Sequence, residues 1–111
     1  MKRKDQDIRK MTIESKREDG ILTIYLPERI DASNASEAEE QIESIRDTVN
    51  EENIVLDAAK LQYISSAGLR IIIKLVKREK SVTVIHVCPA VYDIFEVSGF
   101  TNFIEIDKNN A

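Results

Sequence analysis

The chain has 111 residues, of which 42% are hydrophobic and 32% charged, with a formal net charge of -4. This length suits one hydrophobic core, and the acidic balance argues against nucleic acid as the main partner. The single cysteine, Cys88, excludes an internal disulfide and favours a reducing, cytoplasmic location. No apolar run approaches the roughly 18 residues of a membrane span, so membrane insertion is not expected.

The two ends of the chain are predicted to lie outside the domain. Residues 1–10 are rich in lysine and arginine, and no apolar segment follows them as in a signal peptide. We therefore predict that they are a flexible basic leader or a remnant of cloning. The domain itself is predicted to span residues 11–107, and residues 108–111 to form a polar tail.

The remaining residues predict strands that alternate with helices. Residues 12–16 and 21–26 read as two strands, joined at Asp19-Gly20 by a hairpin turn signal. The other predicted elements are a helix from Ser33 or Asn34 to Val49, a strand over 54–58, a helix after Ser66, a strand over 82–87, a helix from Pro89 to Gly99 and a strand over 103–106.

This order, β-β-α-β-α-β-α-β, predicts the fold class. It indicates a single α/β domain whose sheet is mixed but mainly parallel and is flanked by helices. The near-continuous apolar strands over 54–58 and 82–87 are expected at the centre of the sheet. The predicted core consists of Leu22, Ile24, Val55, Leu56, Ile72, Ile73, Val84, Ile85 and Phe95.

The stretch from Ile64 to Arg70 places two hydroxyls and a glycine where a helix should begin. A helix N-terminus has unpaired N–H groups and a partial positive charge. It would therefore accommodate a phosphoryl group on Ser66 at little structural cost. On these residues alone, the alternative is a serine N-cap with a glycine that allows close backbone approach.

Four further residues are candidates for the same site. The carboxyl ends of the strands and the N-termini of the helices are expected to lie together at one end of the fold, which we call the rim. Asp31 and Asp57 each follow a predicted strand, so both are expected on the same rim as Ser66. The alternative for each aspartate is a turn or capping role. Arg70 and Lys74 share one helical stripe with Ser66, although a solvated basic face explains such a stripe equally well. Arg70 lies in the first turn, where an adjacent phosphate or acidic partner would offset the unfavourable dipole.

The sequence offers no support for an enzyme. Ser66 lacks the flanking glycine pattern of a nucleophile elbow. The only histidine, His86, lies within a predicted strand and is interpreted as a packed or edge residue instead of a general base. Neither a metal-ligating cluster nor a glycine-rich phosphate loop is present, so we expect no metal, cofactor or catalytic residue.

With these motifs in place, the chain resembles the STAS domain family, and within it the anti-sigma factor antagonists. The resemblance covers nearly all of residues 11–107. It is carried by the opening hairpin, by Arg29-Ile30-Asp31-Ala32, by Ile54-Val55-Leu56-Asp57, by Tyr63-Ile64-Ser65-Ser66-Ala67-Gly68-Leu69-Arg70 and by Ser98-Gly99-Phe100.

The resemblance implies a switch protein. Such proteins bind an anti-sigma factor serine kinase while unphosphorylated and leave it when phosphorylated, and a PP2C-type phosphatase restores the first state. Carried over by position, the phosphorylated serine is Ser66. The implied partner-binding residues are Asp31, Asp57, Ser65, Ser66, Ala67, Gly68, Arg70 and Lys74. The oligomeric state stays open between a monomer and a weak dimer.

Three departures keep a second hypothesis open. Many family members carry an aspartate where this chain has Ser65 and a hydroxyl residue where it has Ala67, and Pro27-Glu28 replaces a common glycine. Other members are transporter tails, stressosome scaffolds or lipid-transport subunits. The alternative function is therefore an interaction module of such an assembly that is never phosphorylated.

Overall fold

A computed structural model describes residues 11–47, 53–102 and 104–108. The predicted helix end at Val49 and the predicted strand start at Phe103 lie outside these ranges. The elements are β1 (Glu14–Glu18), β2 (Ile21–Tyr25), β3 (Arg29–Ile30), α1 (Ala35–Asp47), β4 (Asn53–Asp57), β5 (Tyr63–Ile64), α2 (Ser66–Arg78), β6 (Ser81–Val87), α3 (Pro89–Val97), a 3₁₀ turn (Phe100–Asn102) and β7 (Glu105–Lys108). Among the described residues, no helix is long and apolar enough to cross a bilayer.

The main sheet has five strands in the order β1-β2-β4-β6-β7. Only the β1–β2 pair is antiparallel, and the other three pairs are parallel. Asp19 and Gly20 join β1 to β2 with positive φ angles of 54° and 78°, as a tight hairpin turn requires. The predicted α/β class and the mainly parallel sheet are confirmed.

Two short strands, β3 and β5, form a separate parallel pair that the sequence analysis did not predict. They extend the chain beyond the carboxyl ends of β2 and β4. Three backbone hydrogen bonds lie next to this pair. The Leu26 N–H donates to the Asp57 carbonyl, the Gln62 N–H to the Glu28 carbonyl, and the Ser65 N–H to the Ile30 carbonyl. Because β3 leads into α1 and β5 leads into α2, this pair holds the starts of the two helices side by side.

The core lies on one face of the main sheet. Six of the residues predicted for the core are buried, namely Leu22, Ile24, Leu56, Ile72, Val84 and Phe95. The prediction was wrong for Val55 and Ile85, which are half-buried. They point to the opposite face from Leu56 and Val84, because side chains alternate along a strand. The described helices therefore cover one face of the sheet. The continuous apolar run of β4 does not mean that both faces of this strand are buried.

Helix α2 turns a wider face to the core than Ile72 and Ile73, the two residues predicted for it. Its buried residues are Gly68, Leu69, Ile71, Ile72 and Leu75. Ile73, predicted to be buried, is half-buried at the margin of this face. The outer side of α2 contacts α1 through ion pairs, with Lys74 Nζ 2.8 Å from Glu39 and Arg78 Nη1 2.8 Å from Glu43. Such exposed pairs contribute little stability, so packing of the apolar face holds the helix.

Neighbouring isoleucines on α2 allow a matched test of this orientation. Ile72 is 2% exposed, so Ile72→Ala should lower the free energy of unfolding by about 2–5 kcal/mol. Ile73→Ala makes the same chemical change at the next position and should cost clearly less, because Ile73 is only half-buried. Chemical denaturation of the two variants measures the difference. Equal losses would contradict the orientation of α2 described above.

Candidate functional site

Helix α2 begins with two serines that have different structural roles. Ser65 is the N-cap, with extended backbone angles of −93° and 177°, and its side chain accepts a hydrogen bond from the Gly68 N–H at 3.4 Å. Ser66 is the first helical residue. Ser65 therefore satisfies one of the otherwise unpaired N–H groups at this helix end, which is the usual contribution of a capping serine.

The Ser66 side chain is exposed. Within the part of the chain that the structure describes, its hydroxyl has no hydrogen-bond partner. Arg70 lies one turn further along α2, is also exposed, and forms no ion pair with any described residue. Ser66 thus presents a free hydroxyl at a helix N-terminus, with an uncommitted guanidinium on the same stripe.

Gly68 allows α2 to approach the short β3–β5 pair closely. A Cβ atom on Gly68 would lie 2.6 Å from Ile64 Cγ1 and 2.8 Å from Ile30 Cγ2. Both isoleucines are 1% exposed, so neither side chain has room to move aside. The glycine is therefore required for packing. It sets the distance between the start of α2, with Ser65 and Ser66, and the two short strands.

Asp31 lies beside this helix start. Ser65 N–H donates to the Ile30 carbonyl at 2.9 Å, which makes Asp31 and Ser65 neighbours across the β3–β5 pair. The Asp31 carboxylate accepts from the Ser33 hydroxyl at 2.6 Å, from the Ser33 N–H at 2.9 Å and from Arg29 Nε at 2.9 Å. The hydrogen bond from the Ser33 hydroxyl, followed by that from Arg29, lowers the pKa of Asp31 from 3.8 to about 2. Asp31 is therefore ionised near neutral pH.

Asp57, expected on the same rim, belongs to a different cluster. Its carboxylate accepts from the Ala59 N–H at 2.9 Å and lies 3.1 Å from His86 Nδ1. It also lines a pocket of about 240 Å³ together with Glu14 and Tyr25, on the sheet face that the helices leave open. Among the residues that the structure describes, none of the Asp57 contacts is with the start of α2, so no contact joins Asp57 to Ser66.

His86 is exposed and has a φ of 59°, at the point where the pairing of β6 with β7 shifts register. The bulge turns its side chain outward, so His86 is neither packed in the core nor on an edge strand, because β6 lies between β4 and β7. Among the described residues, no group of histidine, cysteine and carboxylate side chains is arranged to hold a metal ion.

The remaining predicted site residues divide between the helix start and the scaffold. Ala67 is half-buried between Ser66 and the close contact at Gly68. Lys74 is held by Glu39 of α1 at a distance of 2.8 Å, two turns away from Ser66. The geometry therefore groups Ser65, Ser66, Ala67, Gly68, Arg70 and Asp31, and it separates Asp57 and Lys74 from them.

Arg29 and Tyr63 complete this rim and were missed as site residues. They are partners in the β3–β5 register, and the Arg29 guanidinium carbon lies 5.0 Å from the centroid of the Tyr63 ring. Tyr63 is 40% exposed, which is high for a large aromatic side chain. A shared sequence pattern could have indicated these two residues. Both 29–31 and 63–65 have an isoleucine between two polar residues, which is typical of a short strand with one buried side chain.

Comparisons with known proteins identify the family of this chain. Residues 12–111 match the family model of the STAS domain, and the chain belongs to that family. BtrV, a candidate anti-sigma factor antagonist of Bordetella bronchiseptica, is 33% identical over 92 residues, which cover 79% of this chain and 78% of BtrV.

Solved structures share the fold at low identity. An anti-sigma factor antagonist from Mycobacterium paratuberculosis matches with a TM-score of 0.77 and 19% identity, covering 86% of this chain and 84% of that one. The Bacillus cell fate determinant SpoIIAA, in its phosphorylated form, matches with a TM-score of 0.62 and 12% identity, covering 86% and 90%. The predicted STAS fold is confirmed.

The different roles of the two serines predict different costs for the same substitution. Ser65→Ala removes the capping oxygen and should lower the free energy of unfolding by about 0.5–2 kcal/mol. Ser66→Ala removes a hydroxyl without a hydrogen-bond partner among the described residues and should change it by less than about 0.5 kcal/mol. Thermal or urea denaturation compares the two. The assignment fails if Ser66→Ala is the more destabilising change.

The sign of the change in the free energy of unfolding caused by Gly68→Ala tests the close contact. In an unobstructed helix, replacing glycine with alanine stabilises by about 1 kcal/mol. Here the new methyl group would collide with Ile30 and Ile64, so we expect a net loss of about 1–3 kcal/mol. Urea denaturation gives the sign directly. A more stable variant would show that α2 is not held against β3 and β5 as described.

Proposed function

We propose that this protein is an anti-sigma factor antagonist that phosphorylation of Ser66 switches off. In its unphosphorylated form it binds an anti-sigma factor that is also a serine kinase, and this binding frees a sigma factor. A PP2C-type phosphatase removes the phosphate. Membership of the STAS family and the description of BtrV support the general role. The proposal also includes a cytoplasmic location and no catalysis by the chain itself.

The observation that carries the switch is the exposed Ser66 hydroxyl at the first position of α2. No described residue occupies it, so a kinase meets a free nucleophile on a surface helix end. In the transfer, the Ser66 Oγ–phosphorus bond forms, the bond between the γ-phosphoryl group and ADP breaks, and the hydroxyl proton passes to a base on the kinase. This chain supplies only the acceptor.

Phosphorylation should act on the surface and leave the fold unchanged. A phosphate adds about −1.5 to −2 charges, and the N-terminus of α2 favours that charge. The helix start is retained by Ser65 and by the contact at Gly68, which are independent of the Ser66 hydroxyl. A partner carboxylate that docks beside Ser66 would be repelled by the new charge.

The principal alternative is an interaction module that is never phosphorylated. It is favoured by Ser65 and Ala67, which stand where family members often carry an aspartate and a hydroxyl residue. Such a module would bind its partner through the same rim without regulation at Ser66. The two functions differ in one respect that can be measured, which is whether a cognate kinase modifies this serine.

Incubation with the cognate anti-sigma factor and Mg-ATP should add one phosphate at Ser66. Mass spectrometry should locate it there, Ser66→Ala should abolish the labelling, and Ser65→Ala should retain it. Ser66→Asp should melt close to the wild-type temperature and bind the anti-sigma factor at least about tenfold more weakly, because repulsion at an interface centre costs several kcal/mol. Arg70→Ala should weaken the same complex.

Ser81→Asp is the matched control for this variant. Ser81 is also exposed and is the first residue of β6, at the amino ends of the parallel strands, so the substitution adds the same charge at the end of the sheet opposite to the start of α2. It should leave binding unchanged. Wild-type affinity in Ser66→Asp, or labelling at Ser65 instead of Ser66, would refute the switch and support the constitutive module.

A further inference from the structure

The Arg29 side chain is held in a defined direction at the rim of the site. Its Nε donates to Asp31 Oδ2 at 2.9 Å, and its guanidinium carbon lies 5.0 Å from the Tyr63 ring centroid. The side chain is nevertheless 60% exposed. A guanidinium fixed by a carboxylate on one edge and an aromatic face on another loses little conformational freedom when it binds a further anion.

Most of the hydrogen-bonding capacity of Arg29 is unused. A guanidinium has five N–H donors, and only the one on Nε is bonded to a described residue. The donors on the two terminal nitrogens therefore remain available. Their fork geometry matches the oxygens of a phosphate, which Arg binds in a bidentate manner.

The register of β3 and β5 places this guanidinium near Ser66. Ile30 pairs with Ile64, and the Ser65 N–H donates to the Ile30 carbonyl at 2.9 Å. Asp31 therefore lies beside Ser65, one residue from Ser66, and Arg29 contacts the Asp31 carboxylate directly. The carboxylate and the guanidinium therefore form a cluster at the carboxyl ends of the two short strands, beside the residue that precedes Ser66.

The negative charge on Asp31 would repel a phosphate on Ser66, and the cation Arg29 can offset this repulsion. Asp31 is ionised near neutral pH, as an ordinary aspartate is, and its hydrogen bonds to Ser33 and Arg29 favour the charged form further by lowering its pKa to about 2. A phosphate on Ser66 would add about −1.5 to −2 charges close to that carboxylate. Neighbouring like charges repel each other, and a cation between them offsets this repulsion.

We propose that Arg29 binds the phosphoryl group on Ser66 and bridges it to Asp31. The inference rests on the proposed phosphorylation of Ser66 and adds the residue that recognises the phosphate. Arg29 keeps its stack on Tyr63 and turns its free amino groups to the phosphate oxygens. Phosphorylation then removes the donors of Arg29 from the docking surface while it adds negative charge, so a partner loses a cation and meets an anion in one step.

Arg70 is the competing cation, since it lies four residues after Ser66 on α2 and has no described ion pair. The two arginines differ in how they are held. Arg29 has the Asp31 and Tyr63 contacts to orient it, whereas no described contact fixes the Arg70 head group. Substitution of each arginine in turn separates their contributions.

The test uses protein with phosphoserine placed at position 66 during translation, so it needs no kinase. A pH titration followed by phosphorus NMR gives the second pKa of the phosphate. This pKa should be higher in Arg29→Gln than in the otherwise unchanged phosphoprotein, and Arg29→Lys should restore part of the difference. Arg17→Gln removes the same charge from an exposed position on β1 and should leave the phosphate pKa unchanged.

A second measurement follows the Arg29 Nε–H signal, which should move on phosphorylation in the full chain. The proposal is overturned if Arg29→Gln titrates like its parent, or if only Arg70→Gln raises the phosphate pKa. Melting of the unphosphorylated Arg29→Gln protein confirms that it is folded. If the cognate kinase leaves Ser66 unmodified, the proposed function is refuted. The titration still shows whether Arg29 binds the phosphate, because the phosphoserine is introduced without the kinase.

Discussion

The geometry of the site depends on the backbone pairing of β3 with β5. These strands are two residues each, yet their ladder joins the carboxyl ends of β2 and β4 to the starts of α1 and α2. Gly68 then lets α2 settle onto Ile30 and Ile64 at a distance that no larger residue permits. This pairing makes Asp31 a neighbour of Ser65 and Ser66, although more than thirty residues separate Asp31 from the two serines along the chain.

The rim combines a rigid base with a responsive surface. Below it, Ile30, Ile64 and Gly68 are buried and leave no space for rearrangement. Above it, Ser66 and the Arg29 guanidinium are exposed to solvent. A change of charge at this place can therefore alter what a partner meets without disturbing the packing that holds the helix. This separation of packing from surface charge is the physical basis of the charge switch that we propose.

The sequence predicted the order of the long elements and the start of α2, because serine and glycine have specific roles at helix ends and apolar spacing reveals helices. It did not predict β3 and β5, since a two-residue strand has no periodicity. It also placed Val55 and Ile85 in the core, because a continuous apolar run does not reveal which sheet face is covered. Asp57 was grouped with Ser66 on strand order alone, which cannot distinguish the main sheet from the short pair beyond it.

The division between Ser65 and Ser66 has an evolutionary consequence. The residue that holds the helix end is not the residue that presents the free hydroxyl. Position 66 can therefore exchange serine for alanine, or alanine for serine, with little change in folding stability. A single codon change at position 66 can add or remove the hydroxyl that we propose is phosphorylated, while the packed scaffold beneath it is inherited intact.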